Sequence, residues 1–122
     1  MTLRLLQNDF TVCKVADYTK TDLASEYCFT GKTDEEFSLV CPTEDVPEST
    51  TEREDGWKCF RVDGVLDFSL IGILAKITSV LAAEKIGVFV VSTFNTDYIF
   101  VKKDRLSDAE KSLSAAGYKF VS

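Results

Sequence analysis

Apolar residues recur at helical spacing over residues 72–86, where Ile73, Ile77, Val80 and Leu81 share one side and Glu84 is the only polar member of that row. The period predicts an amphipathic helix that belongs to a core, with Ser69 as a candidate cap before it and Gly87 as a left-handed stop after it. The pattern then changes. Residues 88–93 and 97–102 are rich in β-branched and aromatic side chains and flank a polar centre of Ser92, Thr93, Asn95, Thr96 and Asp97. They predict a β-hairpin whose two arms lie centrally in a sheet. Ser107-Asp108-Ala109-Glu110 has the spacing of a capping box and predicts a second helix with Leu106 and Leu113 on its inner side and Gly117 at its end, followed by a closing strand at 118–121.

The front of the chain predicts strands at 2–7 and 10–16, joined as a hairpin by Asn8-Asp9, then a loop over 17–25 with no apolar repeat. A second hairpin follows at 26–30 and 36–41, joined by 31–35, and residues 42–46 predict a short helix. Residues 47–56, PESTTEREDG, lack large apolar side chains and read as a linker. Alternation at 57–63 gives one more strand, and Gly64 allows a turn after it.

Residues 57–121 therefore read strand, helix, strand, strand, helix, strand. That is the order of an α+β, ferredoxin-like unit, an antiparallel sheet with two helices on one face. The expected division is a degenerate unit at 1–55 and a full unit at 56–122, because T-D-x-x-F occurs in a hairpin of each half, at Thr33 to Phe37 and at Thr96 to Phe100. A length of 122 residues suits two small modules that share a core.

Charge and composition narrow the function. Residues 1–55 hold 5 basic and 13 acidic groups and residues 56–122 hold 9 and 7, so the net −6 comes from the first half. No cluster of Lys and Arg offers phosphates a surface, and no basic and aromatic RNA-binding signature occurs, so nucleic acid is excluded as a partner. No apolar run approaches the ~20 residues of a membrane span, and no secretory signal is indicated, so a cytoplasmic protein is expected. With no histidine and no C-x-x-C pair among Cys13, Cys28, Cys41 and Cys59, zinc and other metal readings fail and no cofactor is expected. The cysteines read as small buried hydrophobes. An acylphosphatase would need an Arg in the loop after the 57–63 strand, and residues 65–71 contain none. The acidic pairs Glu35-Glu36, Glu44-Asp45 and Glu54-Asp55 read as solvated surface rather than as a general acid and base.

Two stretches remain as candidate chemistry. Asp67-Phe68-Ser69-Leu70-Ile71-Gly72 leads into a helix whose first N–H groups and positive dipole end suit a carboxylate, and Gly72 lets backbone come close. Asp97 suits an ammonium or other cation through charge-assisted bonds. Together they would hold an amino acid. From the residues alone, Ser69 reads first as a helix cap and Asp97 as a turn former.

Val62 to Lys102, with Gly64, DFSLIGILAKI and VSTFNTDYIFVK, resembles an ACT domain, the amino-acid-binding regulatory module. The likeness is to the aspartokinase-type group that includes the mammalian cytosolic arginine sensors. The S-T-x-x-T-D segment from Ser92 and the Gly72-Ile73 helix start carry it, and the E-E-F-S-L-V-C-P run ending at Pro42 extends it to the first half. The resemblance implies tandem units, a non-catalytic role, a homodimer, and an amino acid or similar small ligand held where full units meet. It implies backbone contacts from Thr93 and Phe94, a cationic group on Asp97, and a covering loop that runs from Asp67 through Phe68, Ser69 and Leu70 to Gly72 and Ile73. Asp63 and Gly64 of a facing copy would complete the pocket. Leu70 stands where an arginine-binding site carries a second acid, so arginine specificity does not carry across. The alternative is a structural interaction module with no small ligand.

Overall fold

A strand needs partners for its backbone, and the element that supplies most of them here is the longest strand, Thr50–Val62. The computed structural model describes residues 1–64 and 71–122. In chain order its elements are β1 (Thr2–Leu5), β2 (Phe10–Val15), β3 (Phe29–Lys32), β4 (Phe37–Pro42), β5 (Thr50–Val62), α1 (Ile73–Ala83), β6 (Val88–Ser92), β7 (Asp97–Lys102), α2 (Leu106–Ala115) and β8 (Lys119–Val121), with 3₁₀ turns at Thr43–Asp45 and Lys103–Arg105. Two compact units result: Met1–Gln7 with Lys58–Ser122, and Asn8–Trp57.

The larger unit is α+β. β6 pairs with β7, β7 with β5, β5 with β1 and β1 with β8, the last pair being parallel. Both helices cover one face of this sheet, where Ile77 and Leu81 of α1 and Ala109 and Leu113 of α2 pack with Leu3, Phe60, Val62, Ile99 and Val101. Order and layering are those of the ferredoxin-like unit, with one addition: β1 lies between β5 and β8.

The expected hairpin at Asn8-Asp9 does not form. β1 pairs with Phe60 to Val62 and β2 with Thr50 to Trp57, so each finds its partner far away on β5. The expected linker is also a strand. Its charged side chains at 52–55 are exposed, which hides the alternation, while its backbone is held by β2. A bulge between the Phe10–Trp57 and Val12–Glu54 pairs takes up one residue of β5, and Gly56 supplies the positive φ of 85° found there. Asp55 in this stretch accepts a 2.6 Å bond from the buried Thr11 hydroxyl and is more than solvated surface. Of the hairpin read as central, β6 pairs only with β7 among the described residues and is a half-exposed edge.

The smaller unit orders its strands β3-β4-β2-β5, all antiparallel. It repeats the β6-β7 hairpin and the 3₁₀ turn after it: Phe37 and Asp97 open strands, Pro42 and Lys102 close them, and Thr43–Asp45 matches Lys103–Arg105. The two hairpins correspond in a register that differs from the T-D-x-x-F alignment, because Thr33 takes the place of Thr93, each N–H bonding the carbonyl three residues on. Where the larger unit has α1, the smaller has the irregular stretch 16–28.

Both helix ends differ in detail from the sequence reading. α2 begins at Leu106 after the Lys103–Arg105 turn with no side-chain cap, so the capping box at Ser107 is not used. α1 ends through Lys85 N–H to Ala82 O at 2.9 Å and Ile86 N–H to Leu81 O at 3.0 Å, which puts Lys85, not Gly87, in the left-handed position at φ 58°. α2 ends in the same motif with Gly117 there. A side chain with a Cβ is strained in that conformation, so Lys85→Gly raises stability by about 0.5–1 kcal/mol in urea denaturation. The Arg105 guanidinium, bonded to the Lys85 and Glu84 carbonyls, remains as a cap in that variant.

Candidate functional site

The polar centre of the β6-β7 hairpin is built by two threonines. Thr93 N–H bonds Thr96 O at 2.9 Å and the Thr93 hydroxyl donates to the same carbonyl at 3.1 Å, which closes the turn. Thr96 is buried, and its hydroxyl donates 2.7 Å to Val62 O, the last residue of β5. That bond fastens the turn beside Asp63 and Gly64. Thr96 stands in the polar centre read from the sequence but not among the predicted site residues, because its acceptor lies on another strand.

Asp97 opens β7 half-buried, and its Oδ1 accepts 2.6 Å from Ser92 Oγ across the strand pair. Ser92 thus fixes the carboxylate, while Oδ2 takes no hydrogen bond among the described residues. Phe94 at the tip is 80% exposed, and Ile71 before α1 is 95% exposed.

Asp63 is engaged within the chain. Arg4 Nε and Nη2 each donate 3.2 Å to one carboxylate oxygen, a bidentate pair that ties β1 to the end of β5. The Arg4 hydrogen bonds hold the Asp63 carboxyl below the usual carboxylate range. A depressed folded value means that the pair stabilises the fold above the unfolded pKa and that this contribution disappears as pH falls through the folded one. Arg4→Ala raises the Asp63 midpoint toward the ordinary carboxylate range in an NMR titration.

Gly64 turns the chain at φ 91°, and Gly72 caps α1 in the left-handed region at φ 78°. Only glycine takes these values without strain. A cavity of about 260 Å³ opens at the start of α1, lined by Ile71, Gly72, Ile73, Lys76, Gly117 and Met1 among others. Asp67, Phe68, Ser69 and Leu70 lie outside the described residues, so of the sequence-predicted set the structure places Asp63, Gly64, Gly72, Ile73, Thr93, Phe94 and Asp97. Thr96 brings the hairpin to the strand end that carries Asp63 and Gly64, and Gly72 and Ile73 line the cavity at the helix start.

A sequence profile described as ACT domain matches residues 52–115. The chain belongs to the ACT domain family. Among solved structures, the Agrobacterium tumefaciens protein Atu0741 is 28% identical to this ACT protein, with a TM-score of 0.87 over 98% of this chain and 91% of that one. VC0802 from Vibrio cholerae, described as a possible transport protein, is 23% identical, with a TM-score of 0.71 over 91% and 85%. The regulatory subunit of aspartate kinase from Thermus thermophilus, in its ligand-free form, shares the fold at 8% identity, with a TM-score of 0.66 over 94% and 96%. No curated protein matches the chain significantly. ACT domains are regulatory, ligand-binding modules, and the aspartate kinase chain is a regulatory subunit rather than a catalytic one. Among the described residues of this ACT chain, no helix is long and apolar enough to cross a membrane, and no three His, Cys, Asp or Glu side chains are grouped to hold a metal ion.

Proposed function

We propose that this ACT protein is a non-catalytic regulator that binds an amino acid, or a small molecule of similar charge pattern, where two copies meet. The observation that carries this reading is the 2.7 Å bond from Thr96 to Val62, which holds the Asp97 hairpin at the end of β5 that carries Asp63 and Gly64. The ligand carboxylate takes the helix start at Gly72 and Ile73, under the loop of Asp67, Phe68, Ser69 and Leu70, and its cationic group takes Asp97. Thr93 and Phe94 contribute backbone groups. Asp63 and Gly64 of the facing copy close the pocket.

A homodimer is supported by the edge at β6. Val88, Phe89, Val90 and Val91 are half-exposed and uncharged, whereas the edge strands β3 and β8 carry Lys32 and Lys119. An uncharged edge is a template for another strand, and a second copy is the partner that matches it. Four free cysteines suit a reducing compartment, which supports the cytoplasm as the place of action.

A ligand that binds only the folded dimer raises its melting temperature by mass action. Thermal-shift screening with each common L-amino acid at millimolar concentration is the test. A rise with at least one of them supports the reading, and no change with any of them contradicts it.

A further inference from the structure

In the smaller unit, three of the four thiols share one cluster. Cys13 and Cys41 are buried in it with Val15 and Leu39, and Cys28, half-exposed, packs against them with Tyr18 and Phe37. The strand register says which two face each other. Phe29 pairs with Val40 as the last pair of the antiparallel β3-β4 ladder, and the same register continued one step sets Cys28, just before β3, opposite Cys41. On the far side of Cys41 the partner is Thr11, and Cys13 faces Leu39, so Cys13 lies only diagonally from Cys41.

The hydrogen-bond phase of the ladder adds the distance. Thr33 N–H bonds Glu36 O at 3.0 Å, which makes Thr33 and Glu36 a hydrogen-bonded pair. Such pairs alternate with non-bonded ones, and Cys28 lies five steps from Thr33, so Cys28 and Cys41 form a non-bonded pair. In these pairs the Cα atoms come to about 4.5 Å, inside the roughly 4.4–6.8 Å that a disulfide spans.

We infer that Cys28 and Cys41 are a reversible disulfide pair, a thiol modification site that responds to peroxides. Cys28 is the half-exposed member and is attacked first. Its thiolate sulfur attacks one peroxide oxygen, the O–O bond breaks, and Cys28 becomes a sulfenic acid while the other oxygen leaves as water with the thiol proton. The Cys41 sulfur then attacks the Cys28 sulfur, the S–S bond forms, the S–O bond breaks, and the hydroxyl leaves as a second water with the Cys41 proton. Two thiols lose two electrons and the peroxide gains them. The bond fastens the end of the 16–28 stretch to β4, and a dithiol reductant reverses it.

Burial pushes both thiols up, Cys41 to about 12, so thiolate is scarce at neutral pH and the reaction quickens as pH rises. Cys59 is fully buried in the larger unit and serves as an internal control.

The native protein is treated with hydrogen peroxide across a pH series, digested without reduction, and its peptides are identified by mass spectrometry. The expected result is a Cys28–Cys41 peptide, a fall in free thiols from four to two, and full recovery with dithiothreitol. Cys13→Ser keeps the linked peptide and Cys28→Ser loses it. A Cys13–Cys41 link, a Cys28–Cys28 link between copies, or passage of Cys28 to sulfinic acid with no bond formed overturns the inference. Near-UV circular dichroism before treatment establishes that each variant is folded.

Discussion

Phe60→Ala lowers the stability of the chain by about 3–5 kcal/mol in chemical denaturation and its melting temperature by roughly 10–20 °C. Phe60 lies on β5 under both helices, fully buried, with the Phe120 ring edge-on at 5.5 Å. It also pairs in register with Leu5, so it occupies a position on β5 that holds β1 in place. Removing the ring leaves a cavity that neither a helix nor a sheet can collapse into without breaking its own ladder. Since a domain of this size has a total stability of about 5–15 kcal/mol, the variant is near its folding threshold. A loss below about 1 kcal/mol contradicts the packing described for the larger unit.

The second large effect is on ligand response. Asp97→Ala removes the carboxylate that Ser92 orients at 2.6 Å and abolishes the thermal shift given by the responding amino acid. A charge-assisted bond to a ligand cation contributes about 1.5–3 kcal/mol, so affinity falls at least about tenfold. Because Asp97 begins β7 at a turn, half-buried and away from the helix-covered core, the melting temperature without ligand changes little. Asp97→Asn keeps the bond from Ser92 but not the charge, and it separates the two contributions. Loss of response in both variants assigns the effect to charge; loss in Asp97→Ala alone assigns it to the hydrogen-bonded shape of the turn.

Much of the larger unit was legible because its elements carry their own periodicity. α1 shows a clean helical row, and β6 and β7 are dense in β-branched and aromatic residues around a polar turn. The 50–56 stretch was not legible, since its strand state rests on backbone bonds to β2 while its side chains face solvent. Nor was the placement of β1, whose two partners lie nearly sixty and over a hundred residues away along the chain. Local signals favoured a turn at Asn8-Asp9, and pairing along β5 overrode them. The same distance in sequence concealed the Arg4 partner of Asp63, which no spacing rule links. At the candidate site, Asp97, Thr93, Gly64 and Gly72 could be read from residue type, because turns and positive φ angles demand particular side chains or none. Thr96 required the fold, because its acceptor is a backbone carbonyl on another strand.

The central claim is that ligand and second copy bind together at one junction. Sedimentation equilibrium of the native protein, with and without the amino acid that gives the largest thermal shift, tests it most directly. The expected result is that this amino acid tightens self-association and that Asp97→Ala, equally folded, shows no change on its addition. Equal self-association with and without the amino acid contradicts it.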